Sequence, residues 1–99
     1  MDIKLITLKT NHTLIAKVED PFDQSHIVVK EPLQVVMQPT KEGSSVMFVP
    51  FIEFAKEFKS GFKFSVQDIL LISTPIEEIE EKYREVFSNI KIASAMPRV

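Results

Sequence analysis

The sequence predicts a small, mainly β domain: a strongly bent antiparallel sheet or barrel followed by a C-terminal amphipathic helix. Three observations carry this expectation. Apolar residues alternate in short runs over the first three quarters of the chain. Proline and turn residues interrupt those runs every 8–12 residues or so, the spacing of a small barrel. The last quarter switches to helical periodicity behind a clear start signal.

Taken in order, Ile3–Lys9 is the first expected strand, with Ile6 and Leu8 on one face and Thr7 and Lys9 on the other. Thr10-Asn11-His12 is the turn, and Asn11 is the residue best able to take a left-handed conformation there. Thr13–Glu19 follows, with Leu14, Ala16 and Val18 facing one way and Ile15 an exception on the wet face. Asp20-Pro21 breaks that strand, because proline cannot donate to a ladder. Phe22–Ser25 is read as a loop, and His26–Lys30 as a strand stopped at Glu31-Pro32. Leu33–Gln38 and Ser45–Phe51 are further strands around the polar loop 39–44, and Pro50 marks the second as an edge or a bulge.

Phe51, Phe54 and Phe58 fall at i, i+3 and i+7, so a short helical turn is expected near Ile52–Lys59. Gly61–Phe64 then reads as extended. Ile69–Ser73 is the last strand, and its unbroken Ile69-Leu70-Leu71-Ile72 run calls for cover on both faces. Thr74, Pro75 and Glu77 compose a capping box with proline at the first helical position. Ile76, Ile79, Tyr83, Val86, Phe87 and Ile90 give one apolar stripe. Glu78–Lys82 and Glu80–Arg84 are i,i+4 pairs, and the acidic first half suits the positive end of the helix dipole. The expected layout is one domain over 1–99, with the barrel over 1–73, the helix over 75–91 and a tail over 92–99.

Composition narrows the function classes. The 99 residues contain no Cys and two Gly. This excludes a disulfide scaffold, a thiolate metal site and a cysteine nucleophile, and it disfavours glycine-rich phosphate loops. A formal net charge of −2 supplies no bulk basic field for nucleic acid or anionic lipid. The N-terminal Leu5-Ile6 run is too short for a signal sequence or a span, so a soluble, cytoplasmic protein is expected. No nucleophile elbow, Ser-His-Asp order or metal motif stands out, so no enzyme activity, cofactor or metal is expected.

His12 and His26 have no third ligand at metal spacing and read as a turn histidine and a strand-end histidine. Asp20 and Asp23 flank Pro21-Phe22, where carboxylates ordinarily cap turns. Phe48, Phe51, Phe54, Phe58, Phe62 and Phe64 offer either a base-stacking platform or, more simply, core and interface packing.

Leu8–Val18 followed by Phe22-Asp23-Gln24 resembles the first motif of the Sm-like family, in which an apolar strand, a polar turn and a Gly-x-Leu strand lead to Phe-Asp. Val66–Ser73 is similar to the second motif, an Arg-Gly-Asp/Asn turn and an apolar strand ending in Ser. The two regions cover roughly a third of the chain. Length and a Met-rich, Cys-free composition are also similar to those of small phage-encoded Sm-like proteins.

The resemblance implies a five-stranded, strongly bent barrel whose subunits pair edge to edge into a homo-oligomeric ring of about five to seven copies. It implies contact between Ser45–Phe51 of one copy and Ile69–Ser73 of the next, with Val46, Phe48, Ile69 and Leu71 at the interface. It also implies weak binding of single-stranded RNA at the pore loops, through Asp23, Gln24, Ser25, His26, Gln67 and Asp68. Departures bear mainly on the RNA. The family glycine of the second strand is Ala16, the loop after Phe-Asp is one residue short, and Arg-Gly becomes Val66-Gln67. The helix follows the last strand instead of preceding the first. The alternative is a homo-oligomeric scaffold with no nucleic-acid role, its partners docking on the helix or the Phe-rich segment.

Overall fold

The computed structural model describes residues 2–19 and 25–95, with side chains described through residue 87. The expected breaks at Asp20-Pro21 and in the Phe22–Gln24 loop lie outside the described residues. Among those described, the order is β1 (Asp2–Leu8), β2 (Thr13–Glu19), β3 (His26–Thr40), β4 (Gly43–Pro50), α1 (Glu57–Ser60), β5 (Phe62–Ser65), a 3₁₀ turn (Val66–Asp68), β6 (Ile69–Ser73) and α2 (Glu77–Ala95). All strands are antiparallel, in the order β4-β3-β2-β1-β6, and β5 adds to β3 off that path.

The expected five-stranded barrel is corrected to a six-stranded sheet that no ladder closes. β4 and β5 pair with successive halves of β3, at Leu33–Thr40 and His26–Val29. β6 pairs with β1 on the opposite side of the sheet. Only Val66–Asp68 lie between β5 and β6, a span of about 10 Å. The sheet therefore curls until β1 and the start of β3 come within reach of one short turn. That turn, not strand pairing, bridges the gap.

β3 is one strand where two were expected. Glu31-Pro32 does not stop it but bends it. The ladder with β2 runs Ile15↔Leu33 and then Lys17↔Lys30, so Glu31-Pro32 stands opposite Ala16 as a bulge. Glu31 takes φ 51°, a left-handed conformation that costs a non-glycine residue energy. Two contacts and the burial of its neighbour fix it there. Tyr83 Oη donates to the Glu31 carbonyl at 2.7 Å, Lys17 Nζ lies 2.7 Å from Glu31 Oε1, and Pro32 is fully buried. Asn11 at φ 72° fulfils its expected turn role.

The bend sorts the apolar residues into two cores. Ile6, Leu14, Ala16, Ile27 and Val29 fill the inside of the curl, with Phe51, Phe64, Val66 and Ile69 around them. Ile3, Ile15, Leu33, Tyr83 and Phe87 form the second core, where α2 covers the other face. Ile15 is thus buried, not wet: its face of the sheet is the one the helix seals. Ala16 is fully buried at the bulge. Ala16→Leu should force core side chains off their rotamers and cost about 1–3 kcal/mol or somewhat more, read as a lower denaturation midpoint.

Gly61 permits the entry into β5. It sits at φ 119°, and a Cβ there would stand 2.6 Å from Val28 Cγ1. The expected helix near Ile52–Lys59 contracts to Glu57–Ser60. Phe58 packs against Phe87 at 6.2 Å between centroids, but Phe54 is 95% exposed, so the 51/54/58 spacing is not a single buried stripe.

α2 also starts later than the capping box implies and ends at Ala95, not near residue 91. The Ile76 carbonyl accepts from the Ile79 and Glu80 amides, while the Thr74 hydroxyl accepts from Lys4 Nζ at 3.0 Å. Ile76 is accordingly exposed and outside the stripe. Glu80–Arg84 forms at 2.8 Å, whereas Lys82 lies 6.0 Å over the Phe48 ring instead of pairing with Glu78. No helix among the described residues is long and apolar enough to cross a membrane.

β6 departs most from expectation. Its apolar run was expected to be covered on both faces, yet Leu70, Leu71 and Ile72 are 59%, 48% and 43% exposed. β6 is an end strand, so nothing within the sheet lies beyond it, and α2 covers the other end of β1.

Candidate nucleic-acid interface

The two sequence regions expected to meet RNA lie far apart along the chain, at the start of β3 and in the turn before β6, and the curl of the sheet joins them. His26 opens β3 and pairs in register with Ser65, the last residue of β5. The Val66 amide donates to the Ser25 carbonyl at 2.9 Å. Ser65 Oγ accepts from the Gln67 amide at 3.3 Å and caps the 3₁₀ turn. The Asp68 carbonyl accepts from the Lys9 amide at 2.9 Å, which ties the corner to the end of β1.

Ser25, His26, Gln67 and Asp68 are all exposed on this corner, and Ser25 Oγ lies 2.9 Å from His26 Nδ1. Asp23 and Gln24 lie outside the described residues. The corner offers hydroxyl, imidazole, amide and carboxylate groups, which suit hydrogen bonding to base edges of a single strand. Its cations are sparse. Val66, where the Sm-like resemblance would place an arginine, is half-buried against the inner core, so that position presents no charge to a ligand. His12 is held by Thr10 Oγ1 at 2.7 Å in the first turn. Among the described residues, no group of three or more His, Cys, Asp or Glu gathers to hold a metal.

The expected interface residues divide. Phe48 packs on the α2 core and Ile69 on the inner core, so both serve the chain's own fold. Val46 is half-buried on β4, and Leu71 stands open on β6. Beside the corner lies a feature that periodicity did not indicate, a mostly apolar cleft of about 290 Å³. Leu8, Phe51 and Phe64 line it, with Ile52, Lys63 and Asp68 among its other walls. Ile52 takes φ 54°, an unusual conformation for a β-branched residue. No pattern of polarity could signal that backbone reversal, since it depends on how the chain leaves β4.

Among the described residues, Tyr83 is the one group whose titration is clearly displaced. Burial, followed by the nearby Glu31 carboxylate, holds its phenol well above the ordinary range, so it stays a hydrogen-bond donor.

Among known proteins, no family model matches the chain, and no curated protein matches it.

Proposed function

We propose that this chain is a Sm-like, ring-forming protein that takes single-stranded RNA weakly at the corner built by Ser25, His26, Gln67 and Asp68. One observation carries the reading: the two motif-like regions, about forty residues apart in sequence, are joined by the Val66–Ser25 backbone bond. The ring is supported by the exposed apolar edge of β6 and by the second end strand, β4, on the far side of the sheet. Unpaired edges invite strand addition, and a closed ring of copies removes them.

A scaffold ring without RNA is the second reading. It is favoured by the inward-packed Val66 and by the exposed Asp68 carboxylate, which repels phosphate. Fluorescence polarisation with oligo(U) and oligo(A) at low salt separates the two. The RNA reading expects saturable binding that weakens as salt rises, and no binding at about 100 μM protein leaves only the scaffold. Light scattering tests the ring itself, and a monomer at tens of micromolar overturns it.

A further inference from the structure

The segment between β4 and α1 carries an aromatic side chain with no partner of its own. Phe54 is 95% exposed, although the other phenylalanines whose contacts are described pack into the cores or against one another. Ile52, two residues before Phe54, holds a left-handed conformation that a β-branched residue disfavours, and strain of this kind recurs at sites of recognition. The apolar cleft next to it is open and floored by Leu8, Phe51 and Phe64. Charges flank both features in opposite order. Glu53 and Lys56 bracket Phe54, and Lys63 and Asp68 sit on the cleft wall. Among the described residues, none of these four pairs with an opposite charge within its chain.

We infer that Phe54 of one copy seats in the Leu8–Phe51–Phe64 cleft of a second copy, reciprocally, with Glu53 meeting Lys63 and Lys56 meeting Asp68. Charge complementarity selects a second copy as the occupant. Reciprocity follows from placement: Ile52 lines the cleft, and Phe54 is only two residues further on, within about 7 Å of chain. A knob and a hole this close to each other lie beside a common twofold axis, where one contact generates its mate. The contact uses neither the β4 nor the β6 edge, and it shares only Asp68 with the proposed RNA corner. If the proposed ring forms, this contact would pair one ring with another. If the ring does not form, it would pair two single chains.

The chain has no tryptophan, so Phe54→Trp supplies a single reporter at an exposed position. The indole emission of this variant should shift to the blue as concentration rises to about 300 μM, in step with a doubling of mass by light scattering. Lys63→Glu should abolish both changes, and Glu53→Lys combined with Lys63→Glu should restore them. Emission that stays at the position of a solvent-exposed indole throughout that range overturns the inference, whatever the mass. A ring mass with unshifted emission removes this contact and leaves the ring. A shifted emission at the mass of two chains keeps this contact and removes the ring.

Discussion

Replacing Tyr83 with alanine should lower stability by about 3–5 kcal/mol, the cost of emptying a fully buried aromatic site. In a chain of 99 residues this corresponds to a fall in melting temperature of about 4–8 °C for each kcal/mol. The ring lies tilted against Phe87, 4.9 Å between centroids, and belongs to the core that α2 covers. Its hydroxyl donates to the Glu31 carbonyl at the left-handed residue of the β3 bulge. Tyr83→Phe isolates that second role. It keeps the ring, leaves the Glu31 carbonyl without its described partner, and should cost about 1–3 kcal/mol. A phenylalanine variant as stable as the parent would show that the bend does not need the bond.

The same hydroxyl gives the protein an alkaline limit. Its folded pKa is raised, while the unfolded chain titrates near the ordinary phenol value of about 10. Below that pH both states are protonated, and the contribution is fully present. Above it the unfolded state ionises first, so stability should fall with a slope of up to about 1.4 kcal/mol per pH unit. Lysines titrate in the same range, so the informative quantity is the difference between the parent and Tyr83→Phe. The parent should lose stability more steeply above that point, and the two pH profiles should run parallel below it.

The strands, the Asn11 turn and the apolar stripe of α2 were legible because each depends on local periodicity or on one residue's backbone preference. The Glu31-Pro32 bend was not. Proline after a charged residue reads as a terminator. Here a partner fifty-two positions away in sequence satisfies the bent backbone, and the strand continues. Ile15 was misplaced for a related reason. Alternation assigns a wet face to any half-apolar strand, and only the return of α2 over that face makes it a core. At the candidate site, the meeting of Ser25 with Val66 rests on how far the sheet curls, a property of the whole sheet that two short motifs can suggest but not fix. The cleft beside it was invisible because Ile52 adopts a conformation its side chain disfavours.

The exposed apolar run of β6 leads to the second large effect. Leu71→Lys should convert the proposed ring into monomers while leaving the fold intact. Leu71 is half-exposed in the single chain and belongs to neither core, so its intrachain cost should stay within about 0.5 kcal/mol. Between copies the balance differs. An edge contact would enclose Leu71 with its neighbours, and an ammonium there must be desolvated without a described carboxylate on β4 to receive it. Charged residues, lysine above all, block edge pairing for this reason. Light scattering of the variant at tens of micromolar should give the mass of one chain, with an unchanged circular dichroism spectrum. A variant that keeps the parent's oligomeric mass would show that β6 is not the contact, and its three exposed apolar residues would then need another partner.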